Sequence, residues 1–209
     1  MSSGLTMRRI ATTATTALQT INALQRRVIS CVYYRHTFAS FGMYSILDTP
    51  CLLANTHFIH IGERSSIRKG ARLECVVSSL TRIPDLHIGS EVKIDQNVHI
   101  ICHNYVKIGN AVRIEPNCCI MDTTHVFDGA GDSKFGSLVL DDDARVEIGT
   151  GSQIGHGTAI LRNARIGRNC VIEARSVVTG VIPDGSIASG APARVVREIR
   201  SFTQSNLEG

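Results

Sequence analysis

The chain has 209 residues, 43% apolar and 19% charged, which suits one globular domain with an appendage and excludes wholesale disorder. No run of 18 apolar residues occurs, so no helix is expected to span a membrane. The net charge of +4 is too small to imply a nucleic-acid partner, and it is unevenly placed: residues 1–47 hold five arginines (Arg8, Arg9, Arg26, Arg27, Arg35) and no acid, leaving 17 basic groups against 18 acids in the rest.

Residues 1–54 form a basic accessory segment. From Arg8 to Val32 they are compatible with a helix that carries Ile10, Leu18, Ile21, Leu24 and Ile29 on a loosely periodic apolar face. Packing on the body or on a neighbouring subunit, lying on an anionic membrane face through residues 1–36, and serving as an organellar transit peptide all stay open. Seven cysteines (Cys31, Cys51, Cys75, Cys102, Cys118, Cys119, Cys170), an odd count without a CxxC, point to reduced and mostly buried thiols in a cytosol-like compartment.

From residue 61 an aliphatic side chain recurs every six positions, usually followed by Gly or an acid. The blocks are Ile61/Ile67/Leu73, Ile88/Ile94/Ile100, Ile108/Ile114/Ile120, Ile148/Ile154/Ile160 and Ile166/Ile172/Val178, fifteen hexads in five groups of three. This period fits neither an amphipathic helix nor an alternating strand. It describes a coil with three flat sides, one short strand per side and an inward aliphatic residue on each. Five rungs stacked at about 4.8 Å would make a prism roughly 24 Å tall. The expected solenoid domain is 55–190. Residues 37–60 are expected to cap one end, and a helix at about 191–202 within the tail 191–209 to pack beside the other. Two stretches interrupt the period: 74–87, and a longer excursion at 121–147 whose length suits a functional loop.

This pattern resembles the hexapeptide-repeat superfamily over about residues 55–200. The closing runs Ala164-Arg165-Ile166-Gly167, Ser176-Val177-Val178-Thr179, Ile182-Pro183 and Gly190-Ala191-Pro192-Ala193-Arg194-Val195-Val196-Arg197 resemble its O-acetyltransferase branch, which includes galactoside, maltose and polysaccharide O-acetyltransferases. Met121-Asp122-Thr123-Thr124-His125-Val126-Phe127-Asp128 resembles the segment that opens the family's extended loop and carries its catalytic histidine. The resemblance implies an all-β solenoid, a left-handed parallel β-helix, with an N-terminal helical segment, one long excursion and a short C-terminal helix. It also implies a homotrimer that moves an acetyl group from acetyl-CoA to a hydroxyl of a sugar or polysaccharide precursor. His125 would be the general base, its neutral imidazole taking the hydroxyl proton near pH 7.

Acceptor binding falls by resemblance on Asp95, with Asn97 nearby and Asp122 beside the histidine. Asp95 stands where the galactoside enzymes have Asn. Asp122 is equally a candidate for a local backbone cap at a turn entrance. Coenzyme A contacts map to Gly155, His156 and Ala174, with Arg194 and Arg197 as candidates for its phosphates. Gly180 stands where the galactoside enzymes have a Lys. The expected setting is cytoplasmic, with peripheral contact at the inner membrane face, and with no metal and no nucleic acid. Two other readings remain: a γ-class carbonic anhydrase-like zinc protein using His99, His103 and His125, whose spacing fits poorly, and a non-catalytic hexapeptide-repeat scaffold.

Overall fold

The structure, a computed structural model, describes residues 24–25, 28–77, 83–125, 138–139 and 144–199. Its core is a coil with three faces. Face one stacks Ser40–Phe41, Ile59–Ile61, Asp85–Ile88, Tyr105–Ile108, Arg145–Ile148, Arg165–Ile166 and Val181–Ile182. Face two stacks Ile46–Leu47, Ser66–Ile67, Lys93–Ile94, Arg113–Ile114, Gln153–Ile154, Val171–Ile172 and Ser186–Gly190. Face three stacks Leu52–Ala54, Arg72–Cys75, His99–Cys102, Cys119–Met121, Ala159–Ile160 and Val177–Val178. The pairings within these stacks are parallel, and the chain visits the faces in turn, one circuit per rung.

The hexad residues meet in register. Ile61, Ile88, Ile108, Ile148, Ile166 and Ile182 form one interior column. Ile67, Ile94, Ile114, Ile154 and Ile172 form the second, and Leu73, Ile100, Ile120, Ile160 and Val178 the third. Nearly all of these side chains are fully buried. Each contributes about 1.5–3 kcal/mol by leaving water. The bends between faces bring backbones close together. A Cβ added at Gly149 would lie 2.4 Å from the carbonyl carbon of Gly167 on the next rung, so only glycine fits there.

Three expectations are corrected. The solenoid starts at Ser40, not at residue 55, because Phe41, Leu47 and Leu53 pair in register with Ile61, Ile67 and Leu73 and build a further rung. The signal was present, since Phe41-Gly42 and Leu47-Asp48 keep the six-residue period with other apolar residues. Residues 37–60 therefore supply a rung, and the end is covered instead by helical turns at Ser30–Tyr34 and Arg35–Thr37. There Tyr34, Phe38 and Phe41 pack with ring centroids 5.5–5.7 Å apart, and the Leu47 N–H donates to the buried Ser30 hydroxyl at 3.2 Å.

The third correction concerns the tail. The expected C-terminal helix is a strand, Ala193–Glu198, antiparallel to Ser186–Gly190 at the edge of face two. Val195 and Val196 are β-branched and suit a strand. Of the expected N-terminal helix, residues 1–23 lie outside the described residues, while Leu24, Val28, Ile29, Val32 and Tyr33 are exposed. No described helix is long and apolar enough to cross a membrane.

Candidate active site

Most of the candidate residues fall on one edge of the prism. The corner between faces two and three carries Asp95–Val98, Glu115–Cys118, Gly155–Thr158 and Glu173–Ser176 on successive rungs. A ladder of bonds holds them in line: Asn97 N–H to Lys69 O, Asn117 N–H to Gln96 O, Gly157 N–H to Pro116 O and Arg175 N–H to His156 O, at 2.8–3.2 Å. Asp95, Asn97, Gly155, His156 and Ala174 thus share this corner, spread over about 14 Å at roughly 4.8 Å per rung. Arg194 joins them at the top, where Ala193–Glu198 folds back and Gly190 N–H donates to Ser176 Oγ at 3.2 Å. Arg197 pairs across from Ile187 on the same added strand.

The local duties of these residues differ. Asn97 sits in a left-handed turn (φ 57°) and its amide donates to Asn117 Oδ1 at 3.3 Å, which gives it a structural task in the corner ladder. Gly155 donates its N–H to Ile172 O at 2.8 Å. A Cβ on Gly155 would lie 2.6 Å from the Ala174 nitrogen. The His156 N–H is taken by the Glu115 carboxylate at 2.9 Å, a partner the sequence did not suggest. Among the described residues the exposed Ala174 and Gln96 have backbone N–H groups without a hydrogen-bond partner, so each is a donor on this edge open to a ligand. Asp95 is half-buried and lines a cleft of about 340 Å³ with Ser66, Arg68, Lys93, Ile94 and Arg113. Three cations around one carboxylate suit a ligand that offers hydroxyls and a negative charge.

The next corner, between faces three and one, launches the excursion. Asp122 is 2% exposed there. Its carboxylate accepts the backbone N–H groups of His103 at 2.7 Å, Asn104 at 2.7 Å and Tyr105 at 2.8 Å. Its oxygens therefore serve the chain, but the donors lie 17–19 residues back, so the carboxylate pins one rung to the next and is not a local cap at the turn entrance. The Asn104 amide donates to Ala144 O at 2.7 Å, where the excursion returns. Both ends of the excursion are thus tied to residues 103–105. Between them Thr124–His125 pairs antiparallel with Leu138–Val139. The His125 side chain and residues 126–137 and 140–143, Asp128 included, lie outside the described residues. Thr123 Oγ1, two residues before His125, is buried and has no hydrogen-bond partner among the described residues.

Of the histidines considered for zinc, His99 is half-buried on face three and His103 is buried at the corner. Neither belongs to a described group of three ligands. At this corner the hydrogen bond with Cys75, burial and the nearby Asp122 charge all push the Cys102 thiol far up. What sequence reasoning missed is a cluster of His60, Asp85 and His87 on face one. These residues are up to 27 positions apart, and no short motif joins them.

A three-sided stack of hexads with a loop-bearing corner defines a hexapeptide-repeat solenoid. Residues 145–180 match the model of the bacterial transferase hexapeptide (six repeats) family. It is 32% identical over 144 residues to a probable acetyltransferase of Mycobacterium tuberculosis, covering 67% of this chain and 42% of that protein. It is 25% identical to a putative lipopolysaccharide biosynthesis O-acetyl transferase of Escherichia coli, covering 85% of this chain and 87% of that one. It is 35% identical over 115 residues to the Escherichia coli galactoside O-acetyltransferase, covering 55% of each. The chain therefore spans about half the length of two of these three relatives. Among solved structures it resembles an N-acyltransferase of Bacillus cereus in complex with dTDP and coenzyme A (TM-score 0.65, 17% identity, 80% of this chain and 88% of that one). It also resembles a hexapeptide-repeat acetyltransferase of Vibrio cholerae complexed with acetyl coenzyme A (TM-score 0.53, 18% identity, 86% of each). At these identities the structural likeness is one of fold.

Proposed function

We propose that this chain is an acetyl-CoA-dependent O-acetyltransferase acting on a hydroxyl of a sugar or polysaccharide precursor. The observation that carries the reading is the single edge on which Asp95, Gly155, His156, Ala174 and Arg194 align, beside a corner built to launch the His125-bearing excursion. Its relatives support the class: their names are those of acetyltransferases.

Acetyl-CoA would lie along the edge between faces two and three. Ala174 would donate its N–H, and Arg194 and Arg197 would hold phosphate groups. Asp95 would bind acceptor hydroxyls in its cleft. The His125 imidazole would take the hydroxyl proton as the oxygen attacks the thioester carbonyl. The tetrahedral oxyanion would be held by backbone N–H groups. Collapse would break the C–S bond, and the imidazolium would return its proton to the departing thiolate. Within one chain the two corners are separated by the width of face three. The complete site therefore needs His125 from one copy against the edge of another, as in a homotrimer of left-handed coils. Residues 1–36 would rest on an anionic membrane face near the glycan.

The test is calorimetric titration of the protein with acetyl-CoA, wild type against Arg197→Ala, followed by an acceptor screen with His125→Ala. Saturable binding at one site per chain, weakened in the Arg variant, supports the reading. So does a loss of roughly 10²- to 10⁴-fold in turnover without His125. Failure of folded wild type to bind acetyl-CoA would refute it.

A further inference from the structure

We propose that His60, Asp85 and His87 form a binding site for one divalent transition-metal ion, of the zinc type, on the outer surface of face one. The parallel register makes the arrangement. Ser40 pairs with His60 and His60 with His87, so one outward column runs Ser40, His60, His87 across three rungs. Asp85 lies two residues before His87 on the same strand and turns to the same side.

The side chains converge. Asp85 Oδ1 lies 2.7 Å from His87 Nε2 and 3.9 Å from His60 Nε2. All three donor atoms lie within 4.8 Å of one another. Two donors bound about 2.0–2.1 Å from a common ion, at tetrahedral or octahedral angles, sit about 2.9–3.4 Å apart. The two printed separations fall on either side of that range, and side chains exposed by 39–42% can rotate by the ångström or so that convergence needs.

The two imidazoles stack face to face, with centroids 4.4 Å apart and planes 4° apart, so one ring must turn about its Cβ–Cγ bond for both in-plane Nε2 lone pairs to meet at one ion. One further feature favours a metal over a plain surface ion pair. Ser40 Oγ lies 3.2 Å from His60 Nδ1. With the ring proton on Nδ1 donated to that hydroxyl, Nε2 turns its lone pair toward Asp85. This is the partner arrangement that orients metal-bound histidines.

Imidazole with one carboxylate selects zinc and its neighbours over calcium or magnesium. Three protein ligands leave a position for water or for a group from outside. The ion would clasp the rung 59–75 to the rung 85–102 on the face next to the detour at 76–84. Nothing in this site depends on the acyl-transfer reading, because no residue is shared between the two.

The test uses the full chain without an affinity tag, stripped with chelator and titrated calorimetrically with zinc chloride, and with Co²⁺ followed by visible absorption. Expected are one ion per chain, Co²⁺ bands in the visible, and binding weakened at least tenfold by His60→Ala, His87→Ala or Asp85→Ala. Ser40→Ala should weaken it about tenfold. Cys51→Ser, which removes an exposed thiol, should bind as wild type. Thermal unfolding without metal, unchanged in these surface variants, would show that they fold. No saturable binding by folded wild type overturns the proposal. So does binding that survives His60→Ala/His87→Ala.

Discussion

Replacing Asp122 with alanine separates a structural pin from an acceptor ligand. The buried carboxylate accepts three backbone N–H groups at 2.7–2.8 Å. A hydrogen bond to a charged group is worth about 1.5–3 kcal/mol net, and such terms do not add fully within one cluster. Alanine would leave the three donors without their acceptor, so the expected loss is about 3–5 kcal/mol. In a chain of this size each kcal/mol lowers the melting temperature by about 2–4 °C, so the transition should fall by roughly 6–20 °C. Asp122→Asn keeps one carbonyl oxygen and should lose about half as much. The assay is thermal and urea unfolding of both variants, with KM for the acceptor measured below the transition. Because Asn104 ties the far end of the excursion to the same corner, Asp122→Ala should also cut turnover by misplacing His125. A variant of wild-type stability with a raised acceptor KM would refute the pin and return Asp122 to acceptor binding.

Gly155→Ala puts a Cβ 2.6 Å from the Ala174 nitrogen and should cost about 1–3 kcal/mol of stability and weaken acetyl-CoA binding, as urea unfolding and calorimetry would register. The Cys118 thiol is pushed up to about 11, chiefly by burial. It should stay unlabelled by iodoacetamide in the folded protein at pH 8, while exposed Cys51 reacts, as peptide mass mapping would report. Asp184 is held below the usual carboxylate range, first by the Arg168 N–H at 2.8 Å and then by the Arg168 guanidinium. A depressed carboxylate adds stability above its unfolded pKa and loses it as pH falls through the folded one. The stability gap between wild type and Asp184→Asn should therefore close on acidification below the ordinary aspartate range, as unfolding midpoints against pH would record.

The hexads were readable because one physical demand repeats. In five successive rungs the central inward position of each face is filled by a branched aliphatic side chain, so Ile61 through Val178 mark the strands in one dimension. The first rung was harder to see because Phe41, Leu47 and Leu53 begin the three columns with other shapes. The tail was misread because Ala193–Glu198 is short and pairs antiparallel to its neighbour, a choice made by the open edge at Ser186–Gly190. The motif around His125 was visible as a string, but what Asp122 does was not, since its three donors come from the preceding rung.

Local chemistry thus decided the period, the three faces and which residues point inward, because each depends on neighbours six positions apart. The alignment of Asp95, Gly155, His156 and Ala174 on one edge, the three-donor seat of Asp122, and the meeting of His60 with Asp85 and His87 arose only when the rungs stacked. The lateral register of a solenoid brings together side chains whose spacing along the chain carries no signal, and insertions such as 76–84 and 122–144 shift that spacing without disturbing the register.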